Sequence, residues 1–281
     1  LTSVVPPTGR RNRPNARGVP CTRSASRTTT PACPRRRTSR TSWNARPRSV
    51  PTTASSRCPT RRTSGRTSPS GQGADVVALA KGLIAAGIQP GETVGLLAST
   101  RLEWTLVDFA IWYAGAVTVP VYETSSVSQV SWIIEDSHVR AVVTGNENLA
   151  KTVRDAVQRE GLPELIGLWT MDPADGAPGS GLEALVALGT DVTDEELETR
   201  RSSAGLADLA TIIYTSGTTG RPKGCELTHE NFAELVNQTL SSSLGDVVRQ
   251  DTSTVLFIPL AHVFARFVSV LTVAAGARCG H

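Results

Sequence analysis

The chain has 281 residues, 39% of them hydrophobic, and a formal net charge of +4 from 29 basic and 25 acidic side chains. This average conceals two oppositely charged parts: residues 1–70 hold 16 Arg and no acidic residue, whereas residues 71–281 hold 13 basic and 25 acidic residues. The basic sequence pI therefore does not indicate a nucleic-acid-binding protein. The five Cys show no CxxC spacing. Neither a zinc site nor a disulfide framework is indicated, and we expect a reducing compartment.

Residues 1–70 are predicted to be disordered. They contain 16 Arg, 13 Thr, 11 Ser and 10 Pro but a single Leu. Burial of so little apolar surface cannot offset an ordering entropy of about 1–2 kcal/mol per residue. An arginine-rich arm for nucleic acid would need the Tyr and Phe that stack on bases, which are absent here. A transit peptide would need an amphipathic helix, which ten prolines oppose.

The composition of residues 1–70 also indicates an origin outside the normal reading frame. Of these 70 residues, 62 are Ser, Pro, Thr, Ala, Arg, Gly, Cys or Trp, the types whose codons have C or G in the middle. A GC-rich gene read out of frame places its GC-rich wobble base at that position. We hypothesise a frameshifted segment, with the true frame resuming near residues 71–74. Enrichment of G and C at the third position of codons 1–70 would contradict this.

A globular body is predicted from Ala74 onward. Apolar residues at helical spacing (Val76, Leu79, Leu83) are followed by short buried runs that alternate with further helical patterns. This alternation predicts an α/β fold with a parallel sheet covered by helices on both faces. The acidic stretch 191–198 is interpreted as a solvated helix face. Strands are predicted over 93–97, 117–121, 139–144 and 165–170, and helices over 103–114, 127–136 and 148–160.

The long apolar stretch 254–276 has to be considered as a transmembrane span. Arg266 lies near its middle, and a central Arg opposes membrane insertion by roughly 2.5–3.5 kcal/mol. His262 and Pro259 weaken the interpretation further. We expect instead a strand ending near Pro259 and then a buried helix.

The stretch TIIYTSGTTGRPKGCELTH, residues 211–229, has the composition of a phosphate-binding loop. An apolar strand leads into six residues drawn only from Thr, Ser and Gly, and Lys223 and a helix beginning near Thr228 follow. Small residues let backbone N–H groups approach phosphate oxygens, while hydroxyls and an ammonium add further donors. The loop lacks the Gly-Lys-Ser/Thr ending of Walker loops and the G-x-G-x-x-G of dinucleotide loops. It is therefore a third kind of phosphate loop.

This loop resembles the signature YTSGTTGxPKG of the adenylate-forming acyl-CoA synthetases, which is matched from Tyr214 to Gly224. The stretches GAVTVPVYETSS (115–126) and FIPLAHVFAR (257–266) are similar to the long-chain fatty acid CoA ligase branch, especially its bacterial members. The resemblance covers residues 74–281. It implies a two-step reaction: a fatty acid carboxylate attacks ATP to give acyl-AMP and pyrophosphate, and CoA then displaces AMP.

The resemblance also assigns roles to individual residues. Lys223 and His262 become the candidate catalytic residues, with His262 beside the carboxylate and adenylate, and Thr215 becomes the candidate contact for Mg²⁺. Arg266 is left open between pairing with an acid and lining the acyl tunnel, and His229 is expected to cap or flank the helix after the loop. The residues expected to hold the β- and γ-phosphates of ATP are Thr215, Ser216, Gly217, Thr218, Thr219, Gly220 and Lys223.

Other expected features of the family are missing from these 281 residues. They contain no Tyr-Gly-x-Thr-Glu segment for adenine and Mg²⁺, and the only Lys residues are Lys81, Lys151 and Lys223. We therefore expect a partial large N-terminal domain over 74–281, a fragment inactive by itself. Two functions stay open: a long-chain fatty acid CoA ligase, or a non-catalytic chain that is a pseudogene product or a nucleotide-phosphate binding fragment.

The expected partners follow from the same resemblance. They are ATP with Mg²⁺, CoA as co-substrate and a fatty acid, with no nucleic acid. We expect a cytoplasmic protein of lipid metabolism, and peripheral contact with the inner face of the membrane stays open as a route to its substrate. Acyl chain length and oligomeric state are not indicated by the sequence.

Overall fold

The computed structural model describes residues 69–174, 179–215 and 221–281. The predicted disordered segment 1–70 lies outside these residues except for Pro69 and Ser70, which begin the first helix. Residues 216–220 of the predicted phosphate loop lie outside them too, so their contacts stay predictions.

Helices and strands alternate along the described residues, as the sequence predicts. The strands are β1 (Thr93–Leu97), β2 (Val117–Val121), β3 (Ala141–Asn146), β4 (Gly167–Asp172), β5 (Leu209–Thr215), β6 (Lys223–Thr228), β7 (Ser253–Val255) and β8 (Arg278–Gly280). The helices are α1 (Pro69–Ala85), α2 (Leu102–Tyr113), α3 (Val127–Asp136), α4 (Glu147–Glu160), α5 (Leu182–Leu188), α6 (Asp194–Ser203), α7 (His229–Leu240) and α8 (Val263–Ala274).

The main sheet has six strands in the order β4-β3-β1-β2-β5-β6. All neighbouring strands are parallel except β5 and β6, which are antiparallel. In its centre the register pairs Thr93 of β1 with Val117 of β2, and Val94 of β1 with Ala141 of β3. The carboxyl ends of β1, β2, β3 and β5 therefore share one edge, where parallel sheets place ligand loops.

Helices cover both faces of this sheet, which confirms the predicted α/β fold. Successive β3 residues belong to different cores: Val143 packs with side chains of α1, α2 and α5, whereas Val142 packs with side chains of α3 and α4. Side chains alternate between the faces of a strand, so a sheet buried on both sides favours apolar residues on both faces of its strands. All five residues of β1 and of β2 are buried, and eight of these ten residues are apolar or glycine, the exceptions being Thr93 and Thr118.

The apolar stretch 254–276 forms a short strand and a separate helix. Strand β7 ends at Val255, four residues before the predicted end, and α8 begins only at Val263. Arg266 is fully buried in α8. Within the described ranges no helix is long and apolar enough to cross a membrane.

Strand β6 is the main departure from the predicted elements. The sequence predicts a loop that runs from Thr215 through Lys223 to a helix, but residues 223–228 form a strand paired with β5. The predicted helix follows it as α7, where Thr228 is the N-cap in a capping box with Asn231. The phosphate-loop motif therefore connects two antiparallel strands at the edge of the sheet.

Candidate functional site

The candidate site begins with two residues that face each other where β5 ends and β6 starts. Thr215, the last residue of β5, is paired with Lys223, the first residue of β6. Both are exposed. The hairpin thus brings a hydroxyl and an ammonium to the two ends of the Ser/Thr/Gly segment, as a site for phosphate oxygens requires.

The ammonium of Lys223 is available for an anionic ligand. In the described part of the chain, no carboxylate lies within 4.0 Å of it, whereas Lys81 and Lys151 pair with Asp194 and Asp155 at 2.7 Å and 2.9 Å. An exposed cation without an acidic neighbour is the side chain that a polyphosphate can pair with directly. Lys223 is accordingly the described lysine best suited to a phosphate.

The described residues contain no group of three or more His, Cys, Asp or Glu side chains that could hold a metal ion. Mg²⁺ is commonly held by one or two protein oxygens together with phosphate oxygens of the substrate. The exposed hydroxyl of Thr215 could supply one such protein oxygen. Thr215 therefore stays the candidate magnesium contact that the sequence predicts.

Tyr214, next to Thr215, anchors the end of β5. Its side chain is only 6% exposed, and its phenol O–H donates to Oδ2 of Asp136 in α3 at 2.6 Å. Burial, reinforced by this hydrogen bond and the carboxylate charge, raises the pKa of Tyr214. The phenol therefore stays protonated and keeps its donor role across the physiological pH range.

His262 lies at the N-terminus of α8, exposed to solvent. Its Nδ1 accepts a hydrogen bond from the backbone N–H of Phe264 at 3.2 Å, which caps the helix. In the neutral ring an accepting Nδ1 leaves the proton on Nε2, so Nε2 is free to donate to a ligand oxygen. Among the described residues, no hydrogen bond or ion pair joins His262 to Thr215 or Lys223.

Arg266 connects α8 to the strand that carries Thr215. Its Nε and Nη2 donate to the two carboxylate oxygens of Asp108 in α2, at 2.9 and 2.5 Å. Its Nη1 donates to Oγ1 of Thr211 in β5, and the Thr211 hydroxyl donates to the carbonyl of Thr118 in β2. Of the two roles left open by the sequence, the structure shows the ion pair. Because Arg266 lies one helical turn after His262, these contacts connect the N-terminal turn of α8 to the main sheet.

His229 is the first residue of α7 and flanks that helix as predicted. Its ring packs edge-on against Trp112, with ring centroids 5.3 Å apart. Burial lowers the pKa of His229, and the Arg266 charge acts in the same direction. This residue belongs to the packing behind the hairpin and is not part of the candidate phosphate site.

Comparison with known proteins assigns residues 72–281 of this chain to a family. A family model described as AMP-binding enzyme matches residues 72–281. The long-chain-fatty-acid–CoA ligase FadD15 of Mycobacterium tuberculosis is 40% identical over 193 residues, which cover 69% of this chain and 31% of the relative. Long-chain-fatty-acid–CoA ligase 1 of Homo sapiens is 31% identical over 201 residues, covering 68% and 28% respectively. The chain thus spans less than a third of the length of these curated relatives.

Solved structures share the fold. The inhibitor-bound N-terminal domain of FACL13 from Mycobacterium tuberculosis is 26% identical, with a TM-score of 0.60 over 75% of this chain and 48% of that one. The ATP-bound MatB of Rhodopseudomonas palustris is 22% identical, with a TM-score of 0.61 over 75% of this chain and 39% of that one. The fold of the described residues therefore resembles the fold of these solved structures.

Proposed function

The chain belongs to the AMP-binding enzyme family, and from this we propose that it supplies the phosphate-binding part of a long-chain fatty acid–CoA ligase. The curated relatives named above are ligases of that type. The observation that carries the proposal is the hairpin of β5 and β6, which sets Thr215 opposite Lys223 around the Ser/Thr/Gly segment. The proposed reaction forms acyl-AMP and pyrophosphate from a fatty acid and ATP, and then acyl-CoA from CoA.

The hairpin residues would act by positioning and by charge. Pyrophosphate carries several negative charges as it leaves, so fixed donors directed at its oxygens stabilise the transition state. Lys223 supplies an ammonium and Thr215 a hydroxyl, and backbone N–H groups and hydroxyls of residues 216–220 would add donors. Mg²⁺, when bound with ATP, would shield the phosphate charge.

His262 is proposed to contact the carboxylate or the acyl-adenylate. The hydrogen bond at Nδ1 fixes its ring, and Nε2 is left to donate to a developing negative oxygen. The neighbouring Val263 and Phe264 are 42% and 55% exposed, and Phe257 is 84% exposed. Such an apolar surface beside a polar donor suits a fatty acid, whose carboxylate and hydrocarbon chain need both.

The phosphate role of Lys223 can be tested by titrating the purified chain with ATP and Mg²⁺ in a calorimeter. Lys223→Ala should weaken binding about ten- to a hundredfold, since a charge-assisted hydrogen bond contributes roughly 1.5–3 kcal/mol. Lys151→Ala is the matched control, because Lys151 is also exposed to solvent but pairs with Asp155 on α4. Equal affinity of wild type and Lys223→Ala would remove Lys223 from the site, and no binding by wild type would refute the phosphate role.

The remaining partners follow from the proposed reaction. CoA and a long-chain fatty acid are the proposed co-substrates. A cytoplasmic location, with peripheral contact at the inner face of the membrane, stays a prediction. Cell fractionation would check it, since a peripheral protein leaves the membrane fraction in high salt or alkaline carbonate.

A further inference from the structure

Helix α3 contacts residues on both flanks of the Ser/Thr/Gly segment, residues 215–220, which is called the phosphate-binding segment below. On the β5 side, its last residue, Asp136, accepts the hydrogen bond of the Tyr214 phenol. On the β6 side, Trp132 donates from its indole Nε1 to the carbonyl of Pro222 at 2.9 Å. Trp132 and Asp136 are one helical turn apart and so lie on the same side of α3.

The contact at Trp132 has a second component. The guanidinium carbon of Arg221 lies 4.5 Å from the centroid of the Trp132 ring, in cation–π distance. The indole therefore holds Arg221 and Pro222, the two residues between the segment and β6, by one cation–π contact and one hydrogen bond. Arg221 and Lys223 are both exposed. The cation–π contact with Trp132 restricts the side chain of Arg221.

The two flanks are also packed together. Tyr214 pairs with Gly224 across the hairpin, and a Cβ at Gly224 would lie 3.3 Å from Cζ of the Tyr214 ring. The same Cβ would lie 2.8 Å from Cγ2 of Ile212, so the missing side chain at residue 224 leaves room for both Ile212 and the Tyr214 ring. Flank residues are thus fixed to each other as well as to α3.

Helix α3 is a firm support for such contacts. A capping box between Ser126 and Gln129 closes its N-terminus, and Val130, Ile133 and Ile134 are buried in the core that α3 shares with α4. A side chain that projects from a packed helix holds its partner more accurately than one that projects from a loop.

We propose that Trp132 and Asp136 are positioning residues that fix the separation and orientation of the two flanks of the phosphate-binding segment. The effect on phosphate binding rests on the proposed function. The fixing of the two flanks rests only on the contacts of Trp132 and Asp136. Donors directed at a polyphosphate must be held within a fraction of an ångström, and small displacements cause large losses in rate. In this proposal Asp136 acts through Tyr214, and Trp132 acts through Pro222 and Arg221.

The structural part can be tested by amide hydrogen exchange on the full chain. Trp132→Phe removes the N–H but keeps an aromatic face for Arg221, Trp132→Ala removes both, and Tyr214→Phe removes the donor to Asp136. We expect exchange of residues 214–224 to accelerate about two- to tenfold in the two Phe variants and further in Trp132→Ala. Exchange of β1, residues 93–97, should not change. Glu135→Gln, an exposed position on the same helix, is the control.

The outcomes separate this proposal from the proposed function. Unchanged exchange of 214–224 in all three variants would overturn the positioning role, and so would acceleration spread equally over β1. Titration with ATP and Mg²⁺ adds a second measurement: local acceleration should accompany affinity reduced about threefold or more. Wild-type chain that binds no ATP would refute the phosphate role while the exchange result still decides whether α3 fixes the hairpin flanks.

Discussion

Arg266 connects helix α8 with strand β5, the two elements next to the candidate residues His262 and Thr215. It is fully buried and pairs with both carboxylate oxygens of Asp108. Its guanidinium carbon lies 5.2 Å from the ring centroid of Trp112 and 5.7 Å from that of Phe232. A buried guanidinium is tolerated only when its donors are satisfied. Because its third partner is Thr211 in β5, the same network joins helix α8, which begins after His262, to the strand that ends at Thr215.

Removal of one partner of this pair should destabilise the fold strongly. Arg266→Met leaves the Asp108 carboxylate buried without a counter-ion, which we expect to lower the free energy of unfolding by about 3–5 kcal/mol. The double variant with Asp108→Leu should recover at least about 1 kcal/mol of that loss, because it removes the uncompensated charge as well. Urea unfolding of the two single variants and the double variant measures the coupling. Additive effects would show that the ion pair is not the cause.

Local sequence patterns do not identify these partners. Arg266 stands 158 residues from Asp108 and 55 from Thr211, and such patterns carry no information on pairings over that separation. The same holds for Trp132 and Asp136, which look like ordinary residues of an amphipathic helix until their contacts with Pro222 and Tyr214 are seen. The candidate residues Thr215, Lys223 and His262, in contrast, stand in continuous motifs and can be identified from the sequence.

At the scale of elements, β3 and β4 each begin and end two residues later than predicted. Strands β1 and β2 and helix α3 have the predicted bounds, because β1 and β2 are short, mainly apolar runs and α3 has clear helical spacing. Strand β6 is not predicted from the sequence, because most of its residues are exposed and form no apolar pattern. Its residues KGCELT are mainly polar and exposed, and its pairing with β5 depends on backbone hydrogen bonds that no side-chain pattern reveals. Charged edge strands of this kind also discourage pairing with other chains.

The packing of α1 against α5 depends on a glycine. A Cβ at Gly82 would lie 2.2 Å from the carbonyl oxygen of Leu185, far inside contact distance, so the two backbones could not approach as they do. Gly82→Ala should therefore destabilise the domain by about 1–3 kcal/mol through overpacking.

Gly73 in the same helix provides the control for this prediction. Among the described residues, a Cβ at Gly73 would meet no side chain and no other element within 4 Å, so Gly73→Ala should stabilise the helix by roughly 0.5–1 kcal/mol. Thermal unfolding followed by circular dichroism compares the two variants. If both shifted the midpoint upward, the close contact between α1 and α5 would not exist in solution.

For the whole molecule, charge and apolar surface are unevenly distributed. The acidic excess lies in residues 71–281, while the candidate site itself presents Lys223 and Arg221 to solvent. Two exposed cations on the acidic part of the chain favour an anionic ligand at that place. Large apolar side chains are exposed in the segment before His262, with Val255 at 67% and Phe257 at 84%. Exposed cations and exposed apolar side chains thus both occur in the described part of the chain.

The chain of 281 residues should nevertheless bind ATP without forming acyl-CoA. Catalysis requires adenine, ribose and carboxylate to be fixed together to about an ångström, and phosphate contacts alone leave the reacting atoms free to rotate. The Tyr-Gly-x-Thr-Glu segment expected to hold adenine does not occur in this sequence. An assay with ATP, Mg²⁺, CoA and palmitate, read out as AMP and thioester, should therefore give no product above a blank without protein. Turnover that Lys223→Ala abolishes and Lys151→Ala spares would show instead that this chain is catalytic through Lys223, and that the adenine segment is dispensable.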